Sequence, residues 1–139
     1  MPTVHLVDNS KLILKNKSKI ICISSICGTE VIEGAPIGYS VAKAALNFYI
    51  KLISKDLSQS GIAINAILPG NILFKGSTWE KKIKKNKSKI LKYINSKVPS
   101  KKFGTPNDIF IICEMICKNT SGFINGSLIT VDGGQTLSS

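Results

Sequence analysis

The chain has 139 residues, a hydrophobic fraction of 43% and a formal net charge of +11, and all of its 19 basic side chains are lysines. This length indicates one domain built around a single core. Because no apolar run approaches the roughly 18 residues of a membrane helix and no leader-like pattern opens the chain, we expect a soluble, cytoplasmic protein without membrane contact.

The first third of the chain alternates between helical and strand patterns. Residues 4–15 are typical of the end of a helix, and Asn16–Lys19 is typical of a polar turn. The continuous apolar run within Lys19–Ser24 predicts a buried parallel strand. After a loop over Cys27–Gly38, a long helix is predicted from about Tyr39 to Ser58, with an apolar stripe formed by Leu46, Ile50, Ile53 and Leu57.

The middle of the chain repeats this order. Gly61 is expected to end the long helix as a C-terminal cap. Ile62–Leu68 is predicted to form a second strand, which Pro69-Gly70 stops. A loop over Asn71–Thr78 then leads to a lysine-rich helix over Trp79–Ser96.

The last third adds one more helix and strand. Thr105–Asp108 has the sequence of a helix start, with Pro106 preset for the first turn, and the helix is predicted to run to about Lys118. Ser127–Val131 is the last predicted strand. This alternation predicts an α/β fold in which three parallel strands are joined by right-handed helical crossovers.

Three side chains in the first half form a candidate proton-transfer set. Tyr39 and Lys43 are four residues apart and therefore lie on one side of the predicted helix. A nearby ammonium stabilises a phenolate, so we expect Lys43 to lower the pKa of Tyr39 from its usual value of about 10. Lys43 lies at the rim of the apolar stripe, and Ser25 directly follows the first strand. The plainer interpretations are a loop cap for Ser25 and an aromatic packed on the sheet for Tyr39.

The four cysteines, Cys22, Cys27, Cys113 and Cys117, do not have the spacing of a zinc site, and His5 is the only histidine. We therefore predict no metal site and interpret the cysteines as buried thiols that act as small hydrophobic side chains. A reducing compartment is consistent with this interpretation.

Ten of the lysines lie between Lys81 and Lys102. A nucleic-acid patch is one interpretation of such a run. The segment, however, has no arginine to read bases and few aromatic side chains to stack on them. We favour a solvated helix face and expect no nucleic-acid partner, while keeping a basic nucleic-acid binder as a weaker hypothesis.

Five motifs in order resemble the second half of a short-chain dehydrogenase/reductase, the extended Rossmann family. They are Ile23-Ser24-Ser25 with Gly28, Tyr39-x-x-x-Lys43 followed by Ala44-Ala45-Leu46, Ile64–Gly70, Phe103–Pro106, and Gly126 to Gly134. The likeness covers nearly the whole chain, and its overall character is that of the 3-oxoacyl-carrier-protein-reductase-like branch. It implies one partial domain over residues 1–139, the C-terminal half of a Rossmann-like doubly wound parallel sheet, without the N-terminal cofactor half.

The resemblance implies a role for each residue of the proton-transfer set. Tyr39 would give or take the proton at the substrate oxygen. Lys43 would lower the pKa of Tyr39 and bond the nicotinamide ribose. Ser25 would hold and polarise the carbonyl or hydroxyl group of a small-molecule substrate.

The resemblance also implies a cofactor, NAD or NADP, whose hydride does the redox chemistry. The residues implied to contact its nicotinamide half are Tyr39, Lys43, Pro69, Gly70 and the backbone of Ile72. The segment Gly76–Lys97 would be a mobile substrate lid.

Several parts of the family pattern have no counterpart. The glycine-rich turn that holds the pyrophosphate follows a strand, whereas the nearest similar sequence, Thr120–Gly126, follows a helix and precedes a strand. Asn9 does not replace the family's helical asparagine. Phe74 stands where the family often has threonine, and Ser77 or Thr78 would have to supply that hydroxyl. Without its usual neighbour, the first strand is expected to expose a sheet edge.

Two hypotheses follow. The first is an NAD(P)-dependent oxidoreductase whose catalytic set is present but whose isolated chain has little activity, because the phosphate-binding turn is missing. The second is a non-catalytic interaction module that pairs with itself, with a full-length relative or with a complementary half. In the family, pairing uses the helix before the first strand, the helix that carries Tyr39, and the last helix and strand.

Overall fold

The structure is a computed structural model, and it describes residues 2–138; Met1 and Ser139, the two ends of the predicted domain, lie outside the described residues. Its regular elements alternate between helices and strands. In chain order they are α1 (Pro2–Ser10), β1 (Lys19–Ile23), α2 (Ile37–Ser58), β2 (Ala63–Pro69), α3 (Thr78–Lys85), α4 (Lys87–Lys97), α5 (Pro106–Lys118) and β3 (Leu128–Val131).

The three strands form one parallel sheet in the order β1-β2-β3. Lys19 is paired with Ala63 at the start of the first ladder, and Ala66 is paired with Leu128 at the start of the second. Since β2 lies between the other two strands, β1 and β3 are the edges of the sheet within residues 2–138. The predicted fold class, half of a Rossmann-like parallel sheet with flanking helices, is confirmed.

Helices cover both faces of the sheet. On one face, α1 and α2 pack against the strands, and Val7, Leu46 and Ile50 are buried there with Ile64 and further residues of β2. On the other face, α5 contacts β1 and β2, and its Ile116 is buried. The apolar stripe predicted for α2 is therefore the side of the helix that faces the sheet, although Ile53 is only half-buried.

Two helix predictions were wrong in their bounds. The first helix ends at Ser10 instead of Lys15. The single lysine-rich helix predicted over 79–96 is two helices, α3 and α4, because Asn86 interrupts it. Asn86 has φ −158° and ψ 87°, and its side chain accepts a hydrogen bond from the backbone N–H of Lys89 at 3.0 Å. An N-cap of this kind starts a new helix in place of continuing the previous one.

The start predicted for α5 is confirmed in atomic detail. The side chain of Thr105 accepts a hydrogen bond from the backbone N–H of Asp108, and the Asp108 carboxylate accepts one from the Thr105 N–H at 2.7 Å. This reciprocal pair is a capping box, with Pro106 at the first helical position.

The end predicted for α2 is close but not exact. The C-cap of the helix is Gln59, and Gly61, two residues later, turns the chain with φ +68°.

The cysteines are all free thiols, as predicted, but they are not all buried. Cys22 is buried in the core, Cys27 and Cys113 are partly exposed, and Cys117 is exposed, because it lies on the outer side of α5. Within residues 2–138, no cluster of three or more His, Cys, Asp or Glu side chains could hold a metal ion.

The helices in this part of the chain are too short or too polar to cross a membrane.

Candidate active site

A cavity of about 380 Å³ opens at the carboxyl ends of β1 and β2. The loop after β1 contributes Ser25 and Cys27 to its wall, the first turn of α2 contributes Tyr39, and the loop after β2 contributes Gly70 and Asn71. The carboxyl ends of parallel strands are the usual place for ligands in α/β sheets. A volume in this range is enough for a small-molecule ligand.

Ser25 is the second residue beyond the end of β1 and is buried. Its Oγ accepts a hydrogen bond from the Cys27 backbone N–H at 3.2 Å and caps a short 3-10 turn over Ile26–Gly28. The cap uses an oxygen lone pair, so the hydroxyl proton is still available to a ligand in the cavity. The interpretation of Ser25 as a loop cap is therefore correct, and it is compatible with a second role at the cavity.

Tyr39 lies in the first turn of α2, and 45% of its surface is exposed. It is not packed into the core, so the structural interpretation of this residue as an aromatic packed on the sheet is wrong. Lys43 is one turn further along, with its ammonium 5.6 Å from the centroid of the Tyr39 ring. The predicted pairing of a phenol and an ammonium on one side of this helix is thus present in the structure.

The Lys43 ammonium donates a hydrogen bond to the backbone carbonyl of Ile23 at 2.9 Å. The Ser24 N–H bonds to Ile67 of β2, so the preceding carbonyl, that of Ile23, points away from β2 toward the open edge of the sheet. Burial lowers the pKa of Lys43 from its ordinary value of 10.5. Lys43 therefore holds an otherwise unpaired edge carbonyl and does not extend into solvent as Lys51 and Lys55 do.

Three of the residues implied for nicotinamide contact lie at the end of β2 or shortly after it. Pro69 is the last residue of β2, and Gly70 continues the pairing with β3 through a hydrogen bond from its N–H to the Val131 carbonyl at 2.9 Å. A Cβ on Gly70 would lie 2.8 Å from the Cα of Asp132, so only glycine fits there. Ile72 pairs with Gly104 in an isolated bridge and lines a neighbouring cavity, so the structure brings Gly70, but not Ile72, to the cavity of Ser25 and Tyr39.

The hydroxyl that could stand in for the family's threonine is that of Thr78. Ser77 is buried, and its Oγ accepts a hydrogen bond from the Glu80 N–H at 3.1 Å as the N-cap of α3. Thr78 is exposed and lines the cavity. The segment Thr120–Gly126 is a loop between α5 and β3, so the structure supports its interpretation as a surface turn.

The segment Gly76–Lys97 was expected to be a substrate lid, but three of its side chains that line the cavity from α3 and α4 were not singled out from the sequence. They are Trp79 and Lys82 of α3 and Tyr93 of α4, and Trp79 stacks on Tyr93 with ring centroids 5.5 Å apart. The sequence signal was present, since Trp79 and Tyr93 are two of the few aromatic residues in a lysine-rich stretch. Their convergence required the break at Asn86, which allows α4 to fold back on α3.

Comparisons with known proteins identify the family to which the chain is similar. Residues 3–136 match the profile of a protein family described as enoyl-(acyl carrier protein) reductase. The 3-oxoacyl-[acyl-carrier-protein] reductase FabG of Rickettsia prowazekii is 32% identical over 129 residues, covering 91% of this chain and 50% of the relative. Isoepoxydon dehydrogenase patN of Penicillium expansum is 32% identical over 118 residues, covering 85% and 45%.

Solved structures show the same fold. The structure of 4-hydroxyisoleucine dehydrogenase complexed with NADH has a TM-score of 0.77 and 27% identity, covering 88% of this chain and 49% of that one. An NADPH-bound short chain oxidoreductase from Pseudomonas aeruginosa PAO1 has a TM-score of 0.75 at 20% identity over 86% of this chain and 46% of that one, a likeness in fold alone. The chain spans about half the length of the relatives it matches.

Proposed function

The chain belongs to the short-chain dehydrogenase/reductase family, and from that premise we propose that it is the catalytic half of an NAD(P)-dependent oxidoreductase that interconverts a carbonyl and a hydroxyl group. The observation that supports this proposal is that Ser25 and Tyr39, which come from different elements, line one cavity. Lys43, one turn beyond Tyr39, is held in place by its hydrogen bond to the edge of the sheet.

Each of these side chains has a defined part in the proposed reaction. Ser25 donates its hydroxyl proton to the substrate oxygen and thereby fixes that oxygen next to Tyr39. Tyr39 transfers a proton to or from the same oxygen. Lys43 places a positive charge 5.6 Å from the centroid of the Tyr39 ring and would hydrogen-bond the nicotinamide ribose.

The residues present fit one half of a nicotinamide dinucleotide. Tyr39 and Gly70, which line the cavity, would contact the nicotinamide and its ribose together with Lys43 and Pro69, and Ile72 would contact them from the neighbouring cavity that it lines. When bound, the nicotinamide supplies or accepts the hydride. No strand in residues 2–138 is followed by a G-x-G-x-x-G turn that opens a helix, so the pyrophosphate would be held by residues outside this part of the chain. We therefore expect the 139-residue chain alone to turn over little substrate or none.

Helices α3 and α4, within the segment Gly76–Lys97, are proposed to act as a substrate lid. They contact each other and contribute Thr78, Trp79, Lys82 and Tyr93 to the wall of the cavity that Ser25 and Tyr39 also line. Movement of this wall would admit the substrate and then exclude water from the reacting carbonyl.

A complementation assay tests the catalytic proposal. The chain is mixed with the separately expressed N-terminal half of a relative, and carbonyl-dependent loss of NADH or NADPH absorbance is followed. Tyr39→Phe should lower the rate about 100- to 10,000-fold, because it removes the transferable proton. Tyr49→Phe is the matched control, since its hydroxyl is buried without a hydrogen-bond partner and lies outside the cavity. Equal rates for both variants would refute the role of Tyr39.

A second candidate function, an interaction module, is supported by the outer face of α2. Val41, Phe48 and Leu52 are 62%, 64% and 59% exposed. Their spacing of seven and four residues places them on one side of the helix. An exposed apolar stripe of this kind marks a protein–protein contact. We propose that it pairs with a second copy or with a relative, while the open edge of β1 would accept a strand from a complementary half.

Sedimentation velocity over a range of concentrations tests this second candidate. Phe48→Glu should shift the chain to the monomer, because it puts a charge in the proposed contact. Ser58→Glu, which adds the same charge at an exposed position of α2, should leave association unchanged. Co-purification with a glycine-rich half would support the split enzyme, whereas a wild-type chain that remains monomeric throughout and captures no such half would exclude the interaction module.

A further inference from the structure

The cavity wall on α3 and α4 carries a cation that the proposed reaction does not use. We propose that Lys82, with the Trp79–Tyr93 stack beside it, binds a carboxylate of the substrate, so that the substrate class is an oxo acid or hydroxy acid. In such a substrate an apolar segment separates the reacting group from the carboxylate. This inference rests on the proposed oxidoreductase function and names the substrate of the same site.

Lys82 is available for an anionic ligand. Its ammonium lies 4.5 Å from the centroid of the Trp79 ring, which holds the charge at the cavity wall. No carboxylate within residues 2–138 forms a salt bridge with it, whereas its neighbour Lys84 is paired with Glu80 at 3.3 Å. A lysine that is oriented by an aromatic ring and lacks an acidic partner is ready to pair with a carboxylate from outside the chain.

The aromatic stack supplies the apolar part of the site. Trp79 stacks on Tyr93 at 5.5 Å and contacts Phe103 at 5.4 Å, so its ring is braced from two elements. Ser25 and Tyr39 line the cavity from the loop after β1 and from α2, whereas Lys82 lines it from α3, so different elements would hold the reacting oxygen and the carboxylate. The substrate's methylene groups would then lie along the Trp79–Tyr93 stack.

Glu33 is the one acidic side chain among the residues that line this cavity. It is paired with Lys97 at 3.7 Å, and 81% of its side chain is exposed, so its charge is largely neutralised and solvated. Its remaining negative charge opposes the binding of an anion. Glu33→Gln should therefore tighten the binding of a carboxylate, whereas Lys82→Gln should weaken it. The two substitutions thus test the proposal in opposite directions.

Binding to the full 139-residue chain is measured with 7-oxooctanoate and its methyl ester, two probes that differ in the carboxylate charge. Trp79 is the only tryptophan, so its fluorescence reports directly on the cavity wall. We expect the acid to bind about threefold to fivefold more tightly than the ester, the range of a solvent-accessible ion pair. Lys82→Gln should remove this preference. Lys81→Gln, an adjacent exposed lysine that does not line the cavity, should retain it.

The possible outcomes separate this inference from the proposed function. Equal binding of acid and ester, loss of the preference in both lysine variants, or no binding of either probe at concentrations up to roughly 10 mM would overturn the carboxylate site. If the acid is preferred but the complemented enzyme reduces neither probe, the oxidoreductase proposal fails while the binding site stands. If the complemented enzyme reduces both probes, and the KM of each probe is the same in wild type and in Lys82→Gln, the carboxylate site is refuted while the oxidoreductase proposal stands.

Discussion

Strands β1 and β2 have similar sequences and very different surroundings. Both are mainly apolar, yet six of the seven residues of β2 are buried, whereas only one of the five residues of β1 is. The difference arises because, in the part of the chain that the structure describes, β2 has a strand on each side, while β1 has a neighbour on one side only. The candidate active site borders both strands, so one strand serves mainly as a rigid core and the other places functional groups at an open edge.

This contrast explains the position of Lys43. At the centre of a sheet, the Ile23 carbonyl would be occupied by the next strand. At the edge, it is free to accept a hydrogen bond from the Lys43 ammonium. An edge strand can therefore orient a neighbouring lysine side chain through its own backbone, and the same edge is a surface with which other chains can pair.

The largest expected effect tests the contrast directly. Ile67→Ala removes a fully buried side chain from β2 and should lower the free energy of unfolding by about 2–5 kcal/mol. Ile23→Ala, at a position of β1 that is 49% exposed, should cost less than about 1 kcal/mol. Urea unfolding followed by circular dichroism measures both. Similar losses would mean that β1 is as enclosed as β2.

The loop that follows β1 offers a sharper test. A Cβ at Gly28 would lie 2.7 Å from the backbone carbonyl carbon of Lys43, so Gly28→Ala should force the Ser25 turn away from α2. We expect a loss of about 1–3 kcal/mol in unfolding free energy. Gly38→Ala is the control: nothing lies within 4 Å of its Cβ, and alanine in a helix should add about 0.5–1 kcal/mol. If both substitutions changed the free energy of unfolding in the same direction, the close packing of Gly28 against α2 would be contradicted.

The capping box of α5 is expected to have a smaller effect. Thr105→Ala should lower the free energy of unfolding by about 1 kcal/mol, whereas Thr120→Ala in an exposed loop should leave it unchanged. Urea unfolding measures both.

Hydrogen bonds from the Thr105 side chain and backbone hold the pKa of Asp108 below its usual value of 3.8. This contribution is fully present above pH 3.8 and is lost as the pH falls through the lower folded-state pKa. Asp108→Asn should remove this decrease in the free energy of unfolding at low pH, which urea unfolding at a series of pH values measures.

Lys43→Met should have the smallest effect on stability. Since burial lowers the pKa of Lys43 in the folded state, the unfolded chain binds this proton more tightly. Stability should therefore rise with pH between the folded pKa and 10.5, and the variant should lose this rise. At neutral pH we expect a change below about 1 kcal/mol, whereas catalysis by the complemented enzyme should fall. Lys51→Met, on the exposed side of α2, should change neither quantity; a large destabilisation by Lys43→Met would indicate a mainly structural lysine.

Local features of the chain were predictable from its sequence. The apolar runs gave β1 and β2 to within about a residue or two, and the stripe of α2 gave the face that packs on the sheet, because both depend on periodicity alone. The Thr105–Asp108 signal gave the start of α5, since a capping box is formed by four consecutive residues. The spacing of Tyr39 and Lys43 likewise fixed their relation, because four residues make about one helical turn.

Other features depended on contacts between distant segments. Nothing in the apolar runs distinguishes an edge strand from a central one, because strand order is set by which neighbours are present in the sheet. The meeting of Ser25, Tyr39, Gly70 and Trp79 at one cavity, and the bond from Lys43 to Ile23, likewise follow from the packing of separate elements. The strands, the long helix α2 and the spacing of Tyr39 and Lys43 were predictable, because they depend on residues close together in the chain, whereas the break between α3 and α4 was not predicted. Within residues 2–138, the open edge at β1 and the presence of Lys82 at the cavity of Ser25 and Tyr39 followed from tertiary packing, because burial and charge pairing depend on residues far apart in the chain.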